Sequence, residues 1–237
     1  MSNHILDYLK IYHYNDKKRL GVSYDGGYII GILNGTYDFY ISAGVSNEES
    51  FSRDFIHLYN LNKHNCAAFD GTITDYPYEY TKKIFFYKRN ISKHEDANNS
   101  NLIYFTNYCN DIFLKMDIEG SEYEWILSLT TDQIKKFKQI VIEFHGINDD
   151  SWGINLNDKI ECLRKLSETH YAIHIHGNNF GLLTENIPDT IEVTYVRKNL
   201  FGNEPNLNVN PLPFPGLDFP NNSEKEDYDL NFPPFVN

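Results

Sequence analysis

The chain has 237 residues, 41% of them hydrophobic and 15% aromatic, enough for one large domain with a full core. Its formal net charge of −12 creates a field that repels polyanions, which argues against nucleic acid or an anionic membrane as partner. Cys66, Cys109 and Cys162 are odd in number and form no C-x-x-C pair, so a disulfide framework and a zinc knuckle are both disfavoured.

Free thiols in a reducing compartment, and hence a cytoplasmic protein, are expected from that cysteine usage. The N-terminus has no signal-peptide pattern, and no apolar run approaches membrane-spanning length. Sequons such as Asn34-Gly35-Thr36 are read as accidents of an Asn-rich chain.

Ile5, Leu6, Leu9 and Tyr12 have the spacing of a short amphipathic helix. Residues 19–24 and 28–33 flank Asp25-Gly26-Gly27, a hairpin signal that either serves the turn alone or lies near a ligand. Residues 37–42 read as the first strand of the main sheet, followed by the turn Ala43-Gly44-Val45-Ser46. Asn47 is the expected N-cap of a helix that turns Phe51, Phe55, Leu58 and Tyr59 to one side. Cys66–Phe69 reads as a strand ending in Asp70-Gly71, and residues 83–87 as another, before a polar loop over 88–101.

The apolar residues Ile112, Phe113, Leu114 and Met116 predict a buried strand that ends in Asp117 and Glu119. Gly120 then turns the chain, and Ser121 with Glu124 has the form of a capping box. Thr130 and Gln133 form a second one. Residues 139–144 read as a buried strand ending in His145-Gly146, and Leu156, Ile160, Leu163 and Leu166 mark a helix. Residues 171–176 and 190–196 complete the strands, joined through Gly177-Asn178-Asn179 and a loop with Pro188. The alternation predicts an α/β fold over residues 1–203, with a largely parallel sheet, helices on both faces and a terminal antiparallel pair. From 204 to 237 the chain is a Pro- and Asn-rich tail. Leu212, Phe214, Leu217 and Phe219 are expected to strap it to the body, with the last residues loose.

Three groups of residues carry chemistry. Gly44 in the first turn and Asp70 at the end of the next strand have the spacing of a nucleotide site that grips a ribose hydroxyl. Glu48 and Glu49 in the first helical turn would repel a pyrophosphate. A cationic adenosine cofactor without phosphate, such as S-adenosylmethionine, suits the turn better. The plainer alternatives are an Asp-Gly turn at Asp70 and acids that complement the helix dipole.

Asp117, Glu119, Glu143 and His145 fall at the ends of two neighbouring strands, where burying them without purpose is costly. They suit a general base, or a divalent-cation site with Asp117 and Glu143 as hard ligands. Helix capping and mutual bonding is the plainer reading. His174 and His176 alternate on one strand face. With Glu143 they have the composition of a facial triad, although no H-E-x-x-H or cysteine ligand supports it. His176 and Asn178, nearer the sheet edge, are the candidates for touching substrate. Trp125 and Trp152 read as core or lid aromatics.

With these residues placed, the chain resembles the FkbM-type family of S-adenosylmethionine-dependent methyltransferases. The stretch Leu114-Lys115-Met116-Asp117-Ile118-Glu119-Gly120-Ser121-Glu122 is similar to that family's KxDxEGxE signature, and Ile142-Glu143-Phe144-His145 supports it. Weaker matches are residues 24–28, 41–45 and 176–179. The resemblance implies a class I methyltransferase fold, a seven-stranded sheet with its last strand antiparallel, and methyl transfer to a hydroxyl of a sugar or sugar-bearing metabolite. It implies cofactor contacts from Gly44, Asp70 and Asp117, with Val45, Asn47 and Gly71 beside them as further candidates, a magnesium site at Asp117 and Glu143 like that of some sugar O-methyltransferases of related fold, and a base at Glu119 or His145. The glycine-rich first motif is reduced here to Gly44. Two other functions fit the residues: a non-catalytic Rossmann-like module that binds a nucleotide or partner, and a metal hydrolase or oxygenase using Glu143, His174 and His176.

Overall fold

A computed structural model describes residues 4–77 and 83–237. A 3-10 turn over His4–Tyr8 buries Ile5, with Leu9 buried just beyond it, and an antiparallel hairpin follows, β1 (Lys17–Leu20) and β2 (Tyr28–Gly31). The chain then forms β3 (Phe39–Ala43), α1 (Ser50–Leu58), β4 (Cys66–Phe69) and β5 (Phe85–Tyr87). The two-residue strands β6 (Asn90–Ile91) and β7 (Asn99–Ser100) and the short helix α2 (Ile103–Tyr108) precede β8 (Ile112–Met116). Next come α3 (Glu122–Ser128), α4 (Thr131–Ile134), β9 (Phe137–Phe144), α5 (Leu156–Thr169) and β10 (His170–Gly177). A small hairpin, β11 (Leu183–Thr184) and β12 (Ile187–Pro188), leads to β13 (Ile191–Arg197).

The main sheet has seven strands in the order β10-β13-β9-β8-β3-β4-β5. Adjacent pairs from β9 to β5 are parallel, while β13 runs antiparallel to both of its neighbours. The antiparallel strand is last in the chain, as expected, but it lies inside the sheet. After β3 the chain steps outward to β4 and β5, then returns to lay β8 and β9 on the other side of β3. This reversal leaves a crevice beyond the carboxyl ends of β3 and β8, since the flanking connections diverge there.

Period-2 alternation sorts the strand residues between two faces. Ile41, Leu114, Met116, Ile140 and Ile142 pack under α2 to α5, while Tyr40, Phe113 and Val141 pack with α1 and the first hairpin. The hairpin occupies ground over β9 and β13 that a helix would otherwise cover. Gln139 holds it there by accepting from Gly31 N (2.7 Å) and donating to Gly31 O (3.0 Å), and Thr194 donates to Ile29 O. Both satisfy the free edge of β2.

Local signals account for several boundaries and fail at others. Thr130 and Gln133 form the expected reciprocal capping box. Ser121 makes no side-chain cap, and Glu124 faces solvent near Lys93; instead the Glu122 carboxylate reaches back to accept from Ile118 N (3.0 Å). Asn47 does not cap α1, which begins three residues later behind Glu49, so Glu48 and Glu49 precede the helix. The last residues of the tail are not loose, because Leu230 and Phe235 are fully buried against the helical face. No helix among the described residues is long and apolar enough to cross a membrane.

Candidate active site

A cavity of about 560 Å3 opens at the crevice, in the range of small-ligand pockets. Gly44, Val45, Ser46, Asn47, Asp70 and Asp117 all line it, as do Asp25 and Gly26 of the hairpin loop. Gly71 is not among its walls; its N–H donates to Asn90 Oδ1 (3.1 Å), and Asn90 does line the cavity. The Asp25-Gly26-Gly27 turn therefore lies at a candidate ligand site. Gly27 shapes that turn, since a Cβ there would fall 1.9 Å from Val22 O.

Gly44 is where the two central strands meet. Its φ is +81°, and a Cβ there would lie 1.6 Å from Asp117 O. Lys115 Nζ donates to Gly44 O (2.8 Å), lies 5.4 Å from the Tyr28 ring centroid and is 4.0 Å from Asp117 Oδ2, so the lysine braces the turn and pairs with the acid at the cavity. The sequence signal of Lys115 is a lone cation inside an apolar strand, at the first position of the KxDxEGxE stretch.

Asp70 accepts from Val45 N (3.0 Å), Ser46 N (2.9 Å) and Thr72 N (2.8 Å), and also from the Thr72 hydroxyl. A carboxylate offers about four acceptor positions, and all are filled. Burial alone would raise this carboxyl, but the Thr72, Ser46 and Val45 donors outweigh it and hold it below its ordinary value. In this structure Asp70 fixes the loop over the cavity, and it also lines that cavity. Of the two acids after the loop, Glu49 turns inward to accept from Ser42 Oγ (2.8 Å) and Tyr76 Oη (2.6 Å). Glu48 caps Ser50 at the rim.

Asp117, Glu119, Glu143 and His145 come together beside the cavity, which Asp117 and Glu119 line. His145 Nε2 is 3.5 Å from Glu143 Oε1, 3.5 Å from Glu119 Oε2 and 3.9 Å from Asp117 Oδ1. Its Nδ1 is 3.3 Å from Glu122 Oε1, and Trp152 packs on the ring at 4.9 Å between centroids. Burial disfavours the imidazolium, yet the Glu122 carboxylate, then Asp117 and Glu119, hold the ring's pKa above its ordinary value. Burial pushes Glu143 well up, and the charges of Asp117 and Glu192 add to it. Tyr28 Oη donates toward Asp117 Oδ2 (3.3 Å) and Glu143 Oε2 (3.5 Å). Glu119 is 74% exposed, at the mouth rather than in the nest.

His176 and Asn178 do not face the cavity. Asn178 Nδ2 donates to Glu143 Oε1 (2.9 Å), which orients that carboxylate from behind. His176 is buried between Glu192 (3.3 Å) and Asp227 of the tail (2.9 Å). His174 pairs with Asp218 (2.9 Å). The set Glu143, His174 and His176 is thus not gathered; the described residues bring together Asp117, Glu143 and His145 instead. Glu122, Asp218 and Asp227 went unforeseen. Glu122 stood in the KxDxEGxE stretch, but the two tail acids lie in a segment with no periodicity.

No family model matches the chain, and no curated protein matches it either.

Proposed function

We propose that the protein is an S-adenosylmethionine-dependent O-methyltransferase acting on a hydroxyl of a sugar or sugar-bearing metabolite. The observation that carries this reading is an acid-lined cavity at the reversal of strand order, with a carboxylate and imidazole nest at its edge. The sheet order, with an antiparallel strand inserted beside the edge strand, agrees with the class I methyltransferase fold implied by the FkbM resemblance. The lining suits a cationic nucleoside: Asp25, Glu48, Asp117 and Glu119 face it with Lys115 as counterweight, and Phe69, Ile91 and Ile118 supply apolar area for a base.

Bound there, S-adenosylmethionine would supply a methyl group on a sulfonium sulfur. The Gly44 turn brings bare backbone to the cofactor, and Asp70 keeps Val45 and Ser46 in place for it. Asp117, on the cavity wall, would lie between cofactor and acceptor. Glu119, solvent-accessible and next to the nest, would take the proton from the acceptor hydroxyl as its oxygen bonds the methyl carbon and the carbon–sulfur bond breaks, leaving S-adenosylhomocysteine. Glu143 and His145 hold the acceptor end of the site through Asp117.

The test is methyl transfer from isotopically labelled cofactor to a panel of sugars and glycosides. Turnover that falls at least a hundredfold in Glu119→Gln, with S-adenosylhomocysteine affinity kept, is the expected result. Cofactor binding without transfer to any acceptor would favour the non-catalytic nucleotide-binding module.

A further inference from the structure

We infer that Asp117, Glu143 and His145 form a cation site that selects a first-row transition ion, of the Mn2+ or Fe2+ type, over Mg2+. One ligand atom from each of the three lies within 4.8 Å of the others. Donors around an ion at about 2.1 Å sit about 3–3.5 Å apart, so small side-chain rotations close the set. The cluster is more than a group of acids. The His145 side chain is 8% exposed, and its Nε2 is aimed at the carboxylates of Asp117, Glu119 and Glu143. Asp117 Oδ1 is buried with no hydrogen-bond partner.

The surroundings are those of a ligand set. Glu122, fully buried, lies 3.3 Å from His145 Nδ1 and is itself held by Ile118 N, the carboxylate–histidine arrangement that fixes a metal-binding ring. Asn178 and Tyr28 fix the Glu143 carboxylate from two sides. The imidazole decides the type of ion. Mg2+ takes oxygen ligands and keeps its water, whereas Mn2+ and Fe2+ accept mixed imidazole and carboxylate sets. Asp117 also lines the cavity, so positions left open on the ion face the proposed acceptor. The ion's part in preparing a hydroxyl rests on the methyl-transfer reading; the site itself does not.

The full chain, stripped with a chelator and free of cofactor, is titrated with MnCl2 and separately with MgCl2 by calorimetry. One Mn2+ per chain, bound at least tenfold tighter than Mg2+, is expected. His145→Gln should erase the preference, and Glu122→Gln should weaken Mn2+ binding about 10–100-fold with an unchanged circular dichroism spectrum. Asp132→Asn, a solvent-exposed acid on α4 outside the cavity, should leave Mn2+ binding intact. No stoichiometric Mn2+ at millimolar concentration, or equal affinity for both ions unaffected by His145→Gln, overturns the inference and shows His145 to be an ion-pair partner alone. Because no cofactor is present, either result stands whether or not methyl transfer is found.

Discussion

Gly44 has no room for a methyl group. Its left-handed backbone is strained for any other residue, by about 1 kcal/mol, and the Cβ would overlap Asp117 O. That oxygen belongs to the main chain at the end of β8, so relief requires parting β3 from β8. Gly44→Ala is therefore expected to destabilise the fold by about 2–4 kcal/mol, read from urea unfolding; a loss under about 0.5 kcal/mol would contradict the close approach. At this scale the sequence was informative where a residue type has one use. A glycine after a strand and acids at strand ends were legible as a site. That Asp70 braces the loop was not, because its partners Val45 and Ser46 are distant along the chain and their N–H groups carry no sequence signal.

Among elements, the strands and α5 were legible because apolar periodicity is local. The start of α1 was not, since the loop before it is held by Asp70. The tail is legible only in part: Leu212 and Phe214 anchor it to the body as their apolar character suggests, but its last residues are held by Leu230 and Phe235, and its acids meet histidines on β10. His176 is the strongest of these links. Burial opposes its charge, but the Asp227 and Glu192 carboxylates raise its pKa from the ordinary 6.5 to about 10. A histidine raised in the folded state stabilises fully below its unfolded value, and the contribution fades as pH rises from about 6.5 through about 10. Unfolding free energy is thus expected to fall between pH 6.5 and 10.5 by an amount on the order of a few kcal/mol, and His176→Gln should flatten that slope. Denaturant midpoints at several pH values would check it; equal slopes in both proteins would remove the link.

For the whole molecule, the position of β13 inside the sheet was the part of the topology beyond the sequence. Alternating apolar residues give a strand its faces and say nothing of which neighbours it joins. The reversal beside β3 matters most for ligand response, because the cavity walls come from the turn after β3, from β4, β8 and the first hairpin together. A ligand there ties distant parts of the chain to one another. S-adenosylhomocysteine at about one hundred times its dissociation constant should stabilise the fold by about 2.7 kcal/mol. For a chain of this size that raises the melting midpoint by about 5–10 °C. An unmoved midpoint at saturating ligand would argue against the cofactor assignment.

The two tryptophans make the protein its own indicator. Trp125 is sealed in the core, while Trp152 is 48% exposed with its indole against His145. Emission from the first is a constant background, and emission from the second depends on what sits beside that imidazole. A paramagnetic ion would quench it, and a guest that sheds water from the mouth would shift it to the blue, so occupancy can be followed by fluorescence without a label.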